Sequence, residues 1–270
     1  MTKPVRGAKA PQANAKPKVK LISAVPAANA GRTGLQLLPA KAVKPKRATA
    51  PALPLPPAPP PPPPHRDELP APRDIARLLH YGERFGPHKI DARMLPLQLP
   101  VSSSAIAIFD PGVPKSWRVF DRPVGSGAFR VMLSVARTED RERVAAIIIH
   151  VGRPPIARWT VAHYRGQKPP KSADQLPRCP VTTGWLALVD CGGQPGSSAA
   201  EGPPGVLTVP PSSGITPLEI QLGDSRRALA LPCGNGAVAA YWAIDAADKP
   251  VCLVVDFDVI SLKDWKSKAS

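Results

Sequence analysis

Alternating apolar and polar residues after about residue 127 predict a series of short β-strands. In residues 128–137 (AFRVMLSVAR) an apolar side chain occupies every second position from Phe129 to Val135, which is the period of a strand with one buried face. Residues 144–151 (VAAIIIHV) form a β-branched run that is typical of a strand buried on both faces. Further strand candidates, separated by clusters of Gly, Pro, Ser and Asp, are residues 157–164, 183–190, 205–210, 217–222 and 227–231.

Helical periodicity is convincing in one place only. Residues 72–82 (PRDIARLLHYG) place Ile75, Leu78 and Leu79 at helical spacing, and Gly82 follows where a helix would end. Many short strands joined by turns favour a sandwich or a partly closed barrel. We therefore predict a mainly β fold, an antiparallel sandwich or partly closed barrel with one short N-terminal helix, in a single domain over residues 72–265.

The C-terminal residues 233–258 (CGNGAVAAYWAIDAADKPVCLVVDFD) fit two structures. Gly234, Gly236 and Ala239 match the dinucleotide-binding pattern G-x-G-x-x-[GA], and Asp256 follows about twenty residues later. Alternatively, the same residues form a strand, a turn and a returning antiparallel strand. We favour the hairpin, because a dinucleotide fold needs repeated strand–helix–strand units and the preceding chain predicts strands.

Charge is distributed unevenly along the chain. Residues 1–66 contain 12 Lys and Arg without a single Asp or Glu, whereas the remainder has 24 basic and 20 acidic residues, so most of the net charge of +16 belongs to the first quarter. That quarter also holds 16 of the 38 prolines and no Phe, Trp or Tyr. Such a segment cannot bury enough apolar surface to offset the entropy cost of ordering its backbone. Residues 1–71 are therefore predicted to be a disordered arm, in which residues 51–64 (PALPLPPAPPPPPP) favour polyproline II.

The basic arm is the strongest indication of a partner. Positive charges without counter-charges attract polyanions by releasing counterions, so nucleic acid and an anionic membrane surface both fit residues 1–66. No aromatic residue lies among the lysines, so base recognition is not expected and binding should weaken with salt. A solubilising tail without a specific partner is the alternative. The candidate polyanion-binding residues are Lys16, Lys18, Lys20, Lys41, Lys44, Lys46 and Arg47.

Several segments together resemble a known family. They are SGAFRVMLSVAR, RVAAIIIHV followed by ARWTVAHY, TGWLALVDCGG, and GNGAVAAYWAIDAADKPVCLVVDF. Over about residues 100–262 the chain resembles the uncharacterised bacterial family Domain of Unknown Function 4241. The resemblance implies the C-terminal hairpin, and it implies no activity. Asn235 stands where family members often carry a carboxylate, so any acid catalysis at this turn would be in doubt for this chain.

Acids and histidines near predicted strand ends are the candidate catalytic residues. Two carboxylates and a histidine in one cleft could transfer protons, since groups in apolar surroundings acquire shifted pKa values. The candidates for this role are Asp190, Asp256, His150 and His163. The alternative, which we favour, is that the aspartates cap turns through backbone amides and the histidines are hydrogen-bonded structural residues.

The remaining chemistry of the chain is sparse. Four cysteines without a C-x-x-C pair are too few for a disulfide framework, and we expect reduced, mostly buried thiols in a cytoplasmic protein. No phosphate-binding glycine loop, G-x-S-x-G turn or metal-ligand spacing occurs, so we expect neither a cofactor nor a metal. No apolar run approaches the roughly eighteen residues of a membrane span. Residues 18–30 fit a signal peptide poorly, and secretion by a non-classical route stays open.

These observations leave three hypotheses. The first is a non-enzymatic, β-rich binding or interaction domain on a basic, Pro-rich tether, with a protein partner and with a bacterial toxin–immunity or secretion system as one setting. The second is a hydrolase-like enzyme that uses the strand-end carboxylates and a histidine. The third is weak, non-specific nucleic-acid binding through the arm.

Overall fold

The computed structural model describes residues 19–21, 68–192, 207–211, 214–222 and 226–267. Short strands dominate these residues. In chain order they are β1 (Val19–Leu21), β2 (Arg84–Phe85), β3 (His88–Val101), β4 (Ile106–Asp110), β5 (Val113–Val119), β6 (Gly127–Arg137), β7 (Glu142–His150), β8 (Arg158–Val161), β9 (Arg178–Val181), β10 (Trp185–Asp190), β11 (Leu218–Gln221), β12 (Arg227–Pro232), β13 (Gly236–Ile244) and β14 (Pro250–Asp256).

The strands form two antiparallel sheets that enclose an apolar core. Sheet A has the order β1-β11-β12-β10-β4-β5, and sheet B has the order β2-β3-β6-β7-β14-β13-β8, with β9 also paired to β13. The main core cluster joins residues of both sheets, such as Ile108 and Leu188 from sheet A and Ile147 and Leu253 from sheet B. The predicted mainly β fold is confirmed, and it is a sandwich.

The outer face of sheet B is covered by helices from the two ends of the domain. A five-residue 3-10 helix, Ile75–Leu79, buries Ile75 and Leu78, and α1 (Leu262–Lys266) buries Trp265. The Trp265 ring meets the ring of Phe85 with a centroid separation of 4.6 Å. The predicted N-terminal helix therefore exists, as a single 3-10 segment.

The C-terminal residues form the predicted hairpin. β13 and β14 pair antiparallel, from Ala239 opposite Asp256 to Ala243 opposite Cys252. In the turn between them, Asp245 Oδ1 accepts hydrogen bonds of 2.8 Å from the amides of Ala247 and Lys249. No crossover helix links these strands, so the dinucleotide-binding alternative is wrong.

The apolar pattern failed to predict β3, β4 and β5. In β3, Pro96 and Pro100 interrupt the alternation of apolar and polar residues. A strand tolerates prolines where one edge is unpaired or where a bulge occurs. β3 meets both conditions, because β2 pairs with only its first two residues and the ladder to β6 shifts register between Met94 and Gln98. Conversely, the predicted strand at residues 205–210 does not form over its described part, residues 207–210.

The two halves of the domain repeat one strand arrangement. Residues 99–112 (LPVSSSAIAIFDPG) correspond to residues 179–192 (CPVTTGWLALVDCG), and residues 123–129 (PVGSGAF) correspond to residues 232–238 (PCGNGAV). Each half has a strand ending in Pro-Val, a strand ending in Asp, and a strand that begins within Gly-x-Gly-Ala. Strands β3, β4, β5, β6 and β7 of the first half thus correspond to β9, β10, β12, β13 and β14 of the second.

Strand register confirms this internal repeat. Val101 lies opposite Gly127 in the first half, and the equivalent Val181 lies opposite Gly236 in the second. The equivalent strands β4 and β10 are neighbours in sheet A, and β7 and β14 are neighbours in sheet B. A pseudo-two-fold axis therefore passes through the centres of both sheets, as expected for a tandem duplication. Among the residues that the structure describes, strands β1, β2, β8 and β11 have no counterpart in the other half.

Ordered structure begins before the predicted domain boundary at residue 72. The amide of Val161 donates to the carbonyl of Leu69 at 2.8 Å, and the amide of Ala71 donates to the carbonyl of Trp159 at 3.0 Å. Of the predicted arm, Val19–Leu21 form β1, whereas residues 1–18 and 22–67 lie outside the described residues. No helix within the described ranges has the length and apolar character to span a bilayer.

Candidate functional site

Asp190, the last residue of β10, holds the turn that precedes β4. Its carboxylate accepts hydrogen bonds from the amides of Ser102 at 2.9 Å and Ser103 at 3.1 Å. It also accepts bonds from both serine hydroxyls. Burial alone would raise the pKa of Asp190, but these hydroxyl and amide donors outweigh it and hold the pKa below its usual value.

Asp110, the equivalent residue at the end of β4, holds the turn that precedes β10. Its carboxylate accepts bonds from the amides of Thr182 at 2.6 Å and Thr183 at 2.9 Å, and from the Thr183 hydroxyl at 2.6 Å. Burial opposes ionisation here too, yet these donors and the amide of Gly112 lower the pKa of Asp110. Each central strand of sheet A therefore ends in an aspartate that clamps the turn leading into the other, an arrangement that we call the reciprocal clamp.

Asp256 is the buried partner of an arginine. Asp256 is 3% exposed, and Arg73 Nη2 donates a hydrogen bond to its carboxylate at 2.5 Å. The same nitrogen donates to Asp258 at 2.8 Å, and the amide of Asp258 donates to Asp256 at 2.9 Å. Burial raises the pKa of Asp256, with Arg73 opposing that rise. Because Arg73 lies two residues before the 3-10 helix Ile75–Leu79, this ion pair fastens the start of the domain to sheet B.

His150 lies away from the candidate aspartates Asp190 and Asp256. It ends β7 opposite Cys252 of β14, and Asp256 is four residues further along that strand, about 13 Å away. Burial and then the neighbouring Arg130 lower the pKa of His150, which favours its neutral form. Asp190 belongs to the other sheet. The structure therefore does not bring Asp190, Asp256 and His150 into one catalytic site.

His163 lines a cleft together with an acid. Its Nε2 lies 3.3 Å from Asp121 Oδ2, and the Asp121 amide donates to the His163 carbonyl at 3.1 Å. These residues line a cleft of about 310 Å³ together with Trp242 and Pro123. A histidine beside a carboxylate can bind a polar ligand and move a proton.

A ring of alternating charges supports one wall of this cleft. Arg122 pairs with Glu68, and Arg158 pairs with Asp248. The ring closes through Arg122 and Asp248 at 3.7 Å and through Arg158 and Glu68 at 3.6 Å. Glu68 and Arg122 both line the cleft, so the ring fixes the shape of the wall while its charges offset one another.

The cysteine thiols are shielded from solvent. All four cysteines are unpaired and buried. Burial raises the pKa of Cys179, Cys233 and Cys252 to about 12, which leaves their thiols protonated at neutral pH. Within the ranges that the structure describes, no group of three or more His, Cys, Asp or Glu side chains is arranged to hold a metal ion.

Of the seven candidate polyanion-binding residues, one lies within the described part of the chain. Lys20 belongs to β1 and lies opposite Glu219 of β11 in the strand register. The other candidates lie outside the described residues: Lys16, Lys18, Lys41, Lys44, Lys46 and Arg47. Their role rests on the sequence.

Comparison of the chain with protein-family models, curated proteins and solved structures found no match. The resemblance to Domain of Unknown Function 4241 stays a prediction.

Several residues of structural importance gave no local signal in the sequence. Arg73 and Asp256 are 183 residues apart, and Asp110 and Thr182 are 72 apart. Asp121, the partner of His163, follows an unpredicted strand. The signal that could have revealed the reciprocal clamp is the repeat of two hydroxyl residues, a strand and a final aspartate at residues 102–110 and 182–190.

Proposed function

We propose that this protein is a non-enzymatic interaction module, in which a rigid β-sandwich carries a basic N-terminal region that binds polyanions, with nucleic acid as the ligand. The observation that carries the proposal is the presence of 12 Lys and Arg and no Asp or Glu in residues 1–66. Phosphate binding through such charges depends on counterion release and needs no ordered site.

Charge pairing in the sandwich supports this assignment. Many of its arginines are neutralised by acids, as Arg73 is by Asp256 and Arg93 is by Asp91 and Glu142. The residues after 66 carry nearly balanced charge, with 24 basic and 20 acidic side chains. The excess positive charge that would attract a polyanion is therefore concentrated in the arm.

The positions of the candidate catalytic residues also favour a binding role over hydrolysis. Asp190 is saturated with hydrogen bonds from one turn, and Asp256 is held by Arg73. Carboxylates engaged in this way stabilise the fold, as the turn-capping interpretation expects.

The test measures binding of a fluorescently labelled 20-base-pair duplex to the full chain by anisotropy at about 50 mM salt. One variant replaces the seven candidate arm residues with Gln: Lys16, Lys18, Lys20, Lys41, Lys44, Lys46 and Arg47. A matched control replaces seven exposed basic residues of the sandwich with Gln, and so has the same net charge: Lys89, Lys115, Arg141, Arg153, Arg165, Lys168 and Lys171. We expect the arm variant to bind at least ~10-fold more weakly and the control within ~3-fold of the natural protein. Equal weakening in both variants, or no binding by the natural protein, would refute the proposal.

A second candidate function is proton-transfer chemistry on a small polar ligand, which the His163–Asp121 pair in its cleft favours. The test compares hydrolysis of an activated ester by the natural protein, by His163→Gln and by His150→Gln. This function requires the His163→Gln rate to fall about 10-fold or more while His150→Gln keeps the natural rate. Identical rates in all three proteins would eliminate it.

A further inference from the structure

The outer edge of sheet A differs between the two halves of the repeat. Among the described strands, the last one at the β5 end belongs to the repeat, whereas at the other end β11 lies beyond the repeat strand β12. An edge strand presents a row of unpaired amide and carbonyl groups that can pair with another chain segment. On β11 this position is taken by β1, which comes from the basic arm and pairs antiparallel with it.

The residue types of β1 match those of β11 at each position of the register. Val19 lies opposite Ile220, Lys20 opposite Glu219, and Leu21 opposite Leu218. Ile220 and Leu218 are both 1% exposed and belong to the apolar cluster on the outer face of sheet A. Cross-strand apolar pairs and opposite charges stabilise antiparallel pairing. A shift of one residue would place Lys20 opposite an apolar residue instead.

Backbone geometry makes β11 ready for this partner. The Leu222 amide donates to the Arg226 carbonyl at 2.8 Å, so alternate residues of β11 direct their backbone groups toward β12. Glu219 falls on the opposite alternation, and its amide and carbonyl face β1. Lys20 is therefore the residue whose backbone groups meet those of Glu219.

We propose that the pairing of Val19–Leu21 with β11 is reversible, so that the β11 edge is a docking surface that this segment of the same chain occupies or leaves. The connection back to the domain, residues 22–67, has 46 residues, and a chain of that length spans at most about 150 Å. That length reaches across a domain of this size, whose radius of gyration is about 16 Å. A covalent tether raises the local concentration of Val19–Leu21 at β11, so docking within one chain outcompetes docking between chains in dilute protein.

Docking also opposes polyanion binding, an extension that rests on the proposed function. In the docked strand Lys20 is the register partner of Glu219, and a negative charge at position 219 repels phosphate groups that approach the docked segment. A polyanion bound to the arm lysines thus favours release of β1, and by linkage a docked β1 weakens polyanion binding by the same factor.

The docking test is disulfide trapping in the full chain with Lys20→Cys and Glu219→Cys. Hydrogen-bonded antiparallel partners have Cα atoms about 5.5 Å apart, within disulfide range. The control pair, Lys20→Cys with Gln221→Cys, places the thiols two residues out of register, beyond that range. The four native thiols are buried. We expect a monomeric cross-link that forms at least ~10-fold faster in the register pair than in the control. Equal rates for the two pairs, or a cross-linked dimer, would overturn docking within one chain.

A second measurement is independent of the cysteine variants. Lys20→Pro removes the amide that meets Glu219, so hydrogen exchange of the β11 amides should speed up at Glu219 while the β10 amides stay protected. Unchanged exchange at Glu219 would contradict docking.

Trapping in the presence of the 20-base-pair duplex tests the extension. With duplex bound, as anisotropy verifies, the register pair should cross-link at least ~3-fold more slowly. An unchanged rate with bound duplex would refute the coupling and leave docking intact. Absence of duplex binding would refute both the proposed function and the coupling, while the trapping without duplex would still decide docking.

Discussion

Replacing Asp190 with Asn should destabilise the fold by about 3 kcal/mol. The carboxylate accepts bonds from two amides and two hydroxyls of Ser102 and Ser103, and each hydrogen bond to a charged group contributes about 1.5–3 kcal/mol. Asn keeps one acceptor oxygen and directs an amino group at the remaining donors, so about two of the four bonds are lost, which is about 3 kcal/mol at the lower value per bond. A domain of ordinary stability has about 5–15 kcal/mol in total, so the effect is large.

The pH dependence of this loss follows from the direction of the pKa shift. Hydrogen bonds lower the pKa of Asp190 in the folded state, so its ionised form stabilises the fold. That contribution is complete above the unfolded pKa of about 3.9 and disappears as the pH falls through the folded value. The difference between the natural protein and Asp190→Asn should be constant above about pH 5.5 and shrink below about pH 4.

Urea unfolding between pH 3 and 8 measures both effects. Asp174→Asn is the control, since Asp174 is exposed in a 3-10 turn and its substitution should change the unfolding free energy by less than about 0.5 kcal/mol. A difference below 1 kcal/mol for Asp190→Asn at pH 7, or one that does not shrink at all between pH 5.5 and pH 3, would show that the carboxylate does not clamp the turn.

Three further outcomes test other parts of the structure. Arg73→Ala should lower the unfolding free energy by about 3 kcal/mol because it leaves Asp256 buried without its ion-pair partner, and a double-mutant cycle in urea should give a coupling of at least about 1 kcal/mol. Gly125→Ala should cost about 1 kcal/mol, since Gly125 has a φ of 75° and open space around it; Ser126→Ala, which keeps the glycine, should leave the urea midpoint unchanged. A thiol reagent at pH 8 should label the native protein slowly and all four cysteines in urea, and a thiol that reacts rapidly in the native protein would contradict the burial described above.

The strands that the sequence predicted correctly are those whose apolar pattern is uninterrupted. β6, β7 and the final hairpin are central or well-covered strands, and their residues alternate or run apolar over their whole length. β3 was missed because its prolines suit an edge strand with a bulge and therefore hide its periodicity. The short strand β9 gives too few residues for any period to be recognised.

The internal repeat was present in the sequence and was not recognised there. GSGAF at residues 125–129 suggested a hairpin turn, and GNGAV at residues 234–238 suggested a dinucleotide fingerprint or a hairpin. Both are the same element, a turn in which Gly125 and Gly234 have φ values of 75° and 77°. Glycine is favoured at both positions because the backbone there is left-handed, a conformation that glycine adopts without strain.

Contacts of the candidate site depend on pairs that are distant in the chain. The sequence places His163 near the end of β8 in sheet B. Its neighbour Asp121 follows β5, the last strand of sheet A. The Arg73–Asp256 pair likewise joins the two ends of the domain. Residue type and local spacing predict that such acids are structural, whereas their partners follow only from the folded topology.

The salt dependence of duplex binding tests the central claim most directly, because it counts the charges that contact phosphate. Neutralisation of seven phosphates by the seven candidate arm residues predicts a slope of about −6 for log K against log[salt]. We expect a slope near that value or steeper for the full chain, and a clearly shallower one for the variant with Gln at those seven positions. The same slope in both proteins, or affinity that does not depend on salt, would contradict binding through the basic arm.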